Sequence, residues 1–233
     1  MTARSLERWL GWATSVVMLV ALFLIFCVVP TEAQMGIVQR IFYFHVPCAM
    51  VAYAGFLTVA VASGVYLARR SAAADRIAIA AAEVGVLFCT LVLVTGPIWA
   101  RPIWGVWWTW DPQLTLTVIL WSIYVAYVML RAFGGEDEAI ASYAAVLGMV
   151  GSLAIVLNHY AVRLLEGIHP AVLRARPGSD SGLADPMMGV TLATSSVAML
   201  LLGGWLTVLR VRTERLADEV TRLRREVEEG GGV

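Results

Sequence analysis

Between Trp99 and Thr115 the chain reads WARPIWGVWWTWDPQLT, which places Trp99, Trp104, Trp107, Trp108 and Trp110 within twelve residues. One or two tryptophans at a helix end need no explanation beyond anchoring at a membrane–water interface. Five in one short segment exceed that need. Clustered indoles form a flat apolar platform, and a planar macrocycle lying on it gains ~25 cal/mol per Å² of buried apolar area. Offset stacking adds ~0.5–1.5 kcal/mol per aromatic contact. Gly105 lets the backbone come close to a ligand face, while Asp111 and the indole N–H groups can orient polar edges of a ligand or fix the segment itself.

The chain has three histidines, His45, His159 and His169. Neutral imidazole is a common ligand of haem iron. His45, in FYFHVP, and His169, in GIHP, lie on either side of the tryptophan segment in sequence. If the fold gathers these segments, one imidazole can approach each face of an iron porphyrin. A lone histidine near a helix end is ordinarily a satisfied polar residue, but the indole platform beside these two favours ligation. His159, beside Asn158 and Tyr160, is open to three roles: a further ligand, a partner behind the ligands, or a structural residue. Propionates call for arginine, which contacts carboxylates in bidentate fashion. Arg101 lies inside the tryptophan segment and Arg40 five residues before His45. Each is either a propionate partner or an unpartnered loop arginine.

These residues need a scaffold, and composition says which kind. The 233 residues are 60% hydrophobic and 15% charged, against about 25% charged in an average soluble domain, and mean hydropathy is +0.77. The formal net charge is zero, so no basic field points to nucleic acid. A lipid bilayer is the expected surroundings, and the expected fold is all-α and polytopic. Six apolar runs approach the ~20 residues a spanning helix requires: Leu10 to Val29, Val46 to Leu67, Ile77 to Val94, Leu114 to Leu130, Ile140 to Leu157 and Met188 to Leu209. The first is longer than a secretory h-region and reads as an uncleaved membrane helix. Pro30 is expected to stop the first run, Pro47 to sit in the first turn of the second, and Gly96-Pro97 to stop the third. Asp111 reads as an N-cap with Pro112 at the first helical position. Residues 1–209 thus form a membrane domain with a tryptophan-rich loop at 96–113, and residues 210–233 a charged tail.

Six spans put both termini on one side. The loops and ends on that side carry twelve arginines, against five in the loops 30–45, 96–113 and 158–187. By the positive-inside rule the arginine-rich side is cytoplasmic and the histidines and tryptophans face outward. Cys27, Cys48 and Cys89 lie in or beside apolar runs, and neither CxxC nor CxxCH occurs, which argues against thiol relay and covalent haem attachment. In the tail, Leu209, Leu216, Val220, Leu223 and Val227 recur at spacings of seven, four, three and four. That is a heptad pattern on a helix that continues the last span, and either pairs with another helix or lies on the membrane surface.

The run WGVWWTWDPQLT resembles the tryptophan-rich WWD signature of the haem-handling superfamily of cytochrome c maturation. RIFYFHVP and NHYAVRLLEGIHP resemble the family segments that hold the first-loop and third-loop histidines. The likeness spans roughly residues 10 to 209 and is best with the small six-helix CcmC family. It departs at Gln113, where arginine is common in the family, and at Arg163-Leu164-Leu165, where tryptophan-rich sequence is common. The resemblance implies haem b held between His45 and His169 over the tryptophan segment, at the outer face of the bacterial inner membrane. It implies presentation of that haem to the chaperone CcmE, with CcmD, CcmA and CcmB as partners, and the ATPase on a partner chain. No GxxxxGK[ST] motif occurs here, in keeping with a non-enzymatic delivery subunit. The alternative is a permease that moves haem through its helices, which would call for ionisable residues within the spans. Glu83 is the one that stands out, and its position toward the cytoplasmic end reads as structural. A membrane oxidoreductase would place paired histidines inside the helices, where none falls.

Overall fold

The computed structural model describes residues 3–33, 35–135, 137–164 and 185–230. Six α-helices account for nearly all of them: α1 (Ala3–Phe23), α2 (Phe42–Arg69), α3 (Ala72–Trp104), α4 (Pro112–Phe133), α5 (Glu138–Leu164) and α6 (Pro186–Gly230). α1 runs on as a π-helical segment, Leu24–Val28, which Pro30 follows, and a 3-10 helix, Ile37–Ile41, leads into α2. All six expected spans are present as helices long and apolar enough to cross a membrane, and no strand occurs among the described residues. This is a multi-pass membrane protein.

Two proline expectations are corrected. α3 does not stop at Gly96-Pro97 but continues through Pro97 and Pro102 to Trp104, so the first half of the 96–113 segment is helical. Each proline removes one i→i−4 bond, a loss that spanning helices tolerate when neighbouring helices and Ser/Thr side chains re-satisfy the backbone. Pro47 likewise lies inside α2, which begins at Phe42. α3 ends instead at Gly105, whose φ of +76° and N–H bond to the Arg101 carbonyl make a left-handed cap. Glycine takes that conformation without steric cost. The expected start of α4 is present: the Asp111 carboxylate accepts from the Leu114 N–H at 2.8 Å, with Pro112 next.

The interior is built for close approach. With lipid as apolar as leucine, helices associate through packing, which small residues at the contacts improve. Ala78, Ala81, Ala82 and Ala144 are buried, and a Cβ on Gly85 would come within 2.6 Å of the Phe56 ring. That ring stacks on Tyr124 with centroids 3.8 Å apart. The Tyr124 hydroxyl donates to the carbonyls of Gly148 (2.9 Å) or Phe56 (3.2 Å), tying α4 to α5 and α2. Outward positions such as Val61, Val150 and Leu153 are apolar and exposed, as a lipid-facing surface requires.

The two ends of the bundle differ. At one end Arg212 meets Glu7 at 2.7 Å, so the start of α1 lies against the middle of α6. The same end carries Arg131–Asp75 at 2.6 Å and Arg76–Asp218 at 2.8 Å. Glu83 receives two bonds from the Arg210 guanidinium, which gives it a structural partner. The other end carries the start of α2, the end of α3, the start of α4 and the end of α5.

Candidate functional site

At that other end, His45 lies half-buried in the first turns of α2. Its Nδ1 is 2.8 Å from the Thr95 hydroxyl on α3. Thr95 has one proton, and its Oγ1 lies 2.7 Å from the Leu91 carbonyl and 3.5 Å from that of Val92. A hydroxyl proton directed to the backbone of α3 makes Thr95 an acceptor for the ring, which is the tautomer with hydrogen on Nδ1 and the lone pair on Nε2. A Cβ on Gly96 would sit 3.4 Å from His45 Cε1, so the ring edge rests against glycine backbone.

One helical turn beyond Thr95, about 6 Å along α3, comes Trp99. Its side chain is buried and meets Trp104 edge-to-face at 4.9 Å. Both belong to the end of α3 and not to a loop. Trp108 and Trp110 form a second edge-to-face pair at 5.6 Å in the linker before α4. Trp110 and Trp107 are 74% and 59% exposed, so the linker presents indole surface outward. Arg101 is exposed; its guanidinium lies 6.0 Å from the Trp107 ring and donates to the Gly105 carbonyl, which folds the linker back on the helix end. Arg40 lies in the 3-10 helix just before α2.

The remaining predicted residues separate. His159 is exposed near the end of α5, edge-on to Tyr160 with centroids 5.5 Å apart. The inward residue of that turn is its neighbour. Asn158 is fully buried; it accepts from the Tyr53 hydroxyl at 2.6 Å and donates to Thr117 Oγ1 (2.9 Å) and the Gln113 carbonyl (3.1 Å). It thereby joins α2, α5 and the first turn of α4, directly behind Asp111. His169 lies outside the described residues. Thr95 and Asn158 escaped the sequence reading. The signal available for them was a polar side chain within an otherwise apolar run.

The donor set suits a flat ligand with polar edges. Buried polar atoms without a hydrogen-bond partner gather here: Arg40 Nε, Trp99 Nε1, Trp108 Nε1, Thr109 Oγ1, Asp111 Oδ2 and Gln113 Oε1. Buried polar groups are overwhelmingly satisfied in proteins, and each one left unpaired costs about 1–3 kcal/mol. A porphyrin fits this arrangement, since it offers carboxylates to indole and guanidinium N–H groups, apolar faces to indole rings and an iron to imidazole.

Six spanning helices, with an imidazole, five indoles and the unpaired Nε1 groups of Trp99 and Trp108 at one end, define a multi-pass membrane protein with one chemically specialised end. The sequence profile of the family described as "Heme exporter protein C", CcmC, matches residues 1–226. A protein named Heme exporter protein C from Escherichia coli (strain K12) is 33% identical over 216 residues, 92% of this chain and 85% of the relative. A relative of the same name from Rhodobacter capsulatus is 32% identical over 224 residues, 95% of this chain and 91% of the relative. One from Paracoccus denitrificans is 37% identical over 151 residues, 64% of this chain and 63% of the relative. The chain belongs to the heme exporter protein C family.

Proposed function

We propose that this chain holds haem b at the aromatic end of the bundle, with His45 as one axial ligand, and presents it to the haem chaperone CcmE during cytochrome c maturation. The observation that carries this reading is the 2.8 Å contact between His45 Nδ1 and the hydroxyl of Thr95, itself bonded to the Leu91 carbonyl: in the tautomer with hydrogen on Nδ1, Nε2 is the coordinating nitrogen. A metal-bound histidine commonly donates its other ring nitrogen to such a partner. Haem would supply the iron, and His169 is proposed as the other histidine that would hold it. Trp99, Trp104, Trp107, Trp108 and Trp110 supply the apolar bed, and Gly105 the close backbone approach. Arg40, Arg101 and Asp111 serve the polar edge. His159 is assigned a supporting place behind the ligands and not on the iron.

In this reading the aromatic end faces the periplasm, both termini are cytoplasmic, and the membrane is the bacterial inner membrane. The excess of arginine at the other end supports that orientation. CcmD, CcmA and CcmB are the proposed partners, with ATP hydrolysis on a partner chain. Passage of haem through the helices finds less support, because Glu83 is paired with Arg210.

Co-expression with CcmE tests the proposal. His45→Ala and His169→Ala are expected to insert normally and to abolish haem loading of the chaperone. Normal loading by both variants overturns the ligand assignment.

A further inference from the structure

α6 leaves the bundle as a single uninterrupted helix that runs to Gly230. Leu216, Val220, Leu223 and Val227 are 50%, 49%, 48% and 73% exposed, so its apolar stripe faces away from the protein's own core. The opposite side is the one the bundle holds: Asp218 pairs with Arg76, and Glu214 and Thr221 are half-buried. We propose that this stripe is the seam of a parallel two-stranded coiled coil with a second copy of the same chain.

The residue types specify the partner. In the heptad set by the spacing, Leu216 and Leu223 occupy d positions and Val220 and Val227 occupy a positions. β-branched residues at a with leucine at d favour two parallel strands. Asp218 then falls at f, the position farthest from the seam, where its bond to Arg76 does not interfere. The flanking positions are self-complementary: Glu219 is a g residue and Arg224 the following e residue. Across a parallel pair each Glu219 meets the Arg224 of the other strand, twice by symmetry; an antiparallel pair would set like charges against each other. Neither residue enters an ion pair among the described residues, and at five positions apart they do not face each other on one helix.

Topology favours the same arrangement. Two copies inserted with one orientation in one bilayer send their tails out in the same direction, and tethering raises the effective concentration enough for a short zipper. A membrane surface is the poorer occupant. The tail from Arg210 to Glu229 carries six arginines and six acidic residues and no aromatic residue, whereas surface-lying helices are cationic with aromatic anchors. The tail lies at the end of the bundle away from the tryptophan segment, so this pairing and the haem reading stand or fall separately.

The test uses the full chain in lipid nanodiscs or vesicles, with Cys27→Ser to remove the exposed native thiol. Under mild oxidation Val220→Cys and Leu223→Cys are expected to give disulfide-linked dimers, while Arg225→Cys at f does not. Glu219→Arg or Arg224→Glu, placed in the Val220→Cys background, lowers the dimer yield about fivefold, and the double charge swap restores it. All these positions are exposed, so the fold is retained. Absence of dimer at 220 and 223, equal yield at 225, or no rescue by the swap overturns the proposal. So does quenching of a label at Val220→Cys by brominated lipid, which would assign the stripe to the membrane surface.

Discussion

A threonine hydroxyl decides which nitrogen of His45 faces outward. With its proton directed to carbonyls of its own helix, Thr95 is suited to accept from the imidazole. Thr95→Val removes that acceptor while keeping shape, frees the ring to rotate or change tautomer, and is expected to weaken haem retention about tenfold. Thr95→Ser restores it. Haem titration of the purified variants checks this, and equal affinity in the valine variant would mean that Thr95 has no positioning role. Asn158 operates at the same scale but through packing. Its amide links three helices, so Asn158→Ala leaves buried partners unpaired and is expected to lower stability by about 1–3 kcal/mol. The melting transition of the protein in detergent reads that loss. His159→Ala, at an exposed neighbouring position, is expected to leave the transition unmoved.

At the scale of elements, the junction between α3 and α4 carries the site. Gly105 ends one helix with positive φ and Asp111 begins the next as its cap, which confines the linker tryptophans to residues 106–110. Asp111→Ala is expected to cost about 1 kcal/mol through loss of the cap, and Asp111→Asn to recover most of it; thermal unfolding of the two variants separates them. The α4 start was legible because Asp-Pro before an apolar run is a local signal that needs no tertiary help. The α3 end was misplaced because Gly-Pro breaks a helix in water but not in a span whose lost bonds are made good by neighbours. That error assigned Trp99, Arg101 and Trp104 to a loop, whereas their helical placement is what puts Trp99 one turn from the residue that holds His45. A polar side chain in an apolar run was the only local mark of Thr95 and Asn158, and their roles were not legible because their partners lie 50 and 105 residues away.

The whole molecule separates a charged end from an aromatic one, and its six crossings were readable from apolar length alone. Ion pairs tie helices together at the charged end, among them Arg210 with Glu83 and Arg212 with Glu7. Glu83→Ala is expected to lower the melting temperature by roughly 2–4 °C, the shift that about 1 kcal/mol produces in a chain of this size, with haem binding unchanged. Loss of haem binding in that variant would favour passage through the bundle instead. The central claim is that an imidazole at the aromatic end ligates iron. The most direct measurement is the Soret spectrum of purified protein reconstituted with haem, compared with His45→Ala and with Thr95→Val. The account predicts a shifted and weakened band for the first and a smaller change of the same kind for the second. Spectra identical to that of the unmodified protein in both variants would contradict it.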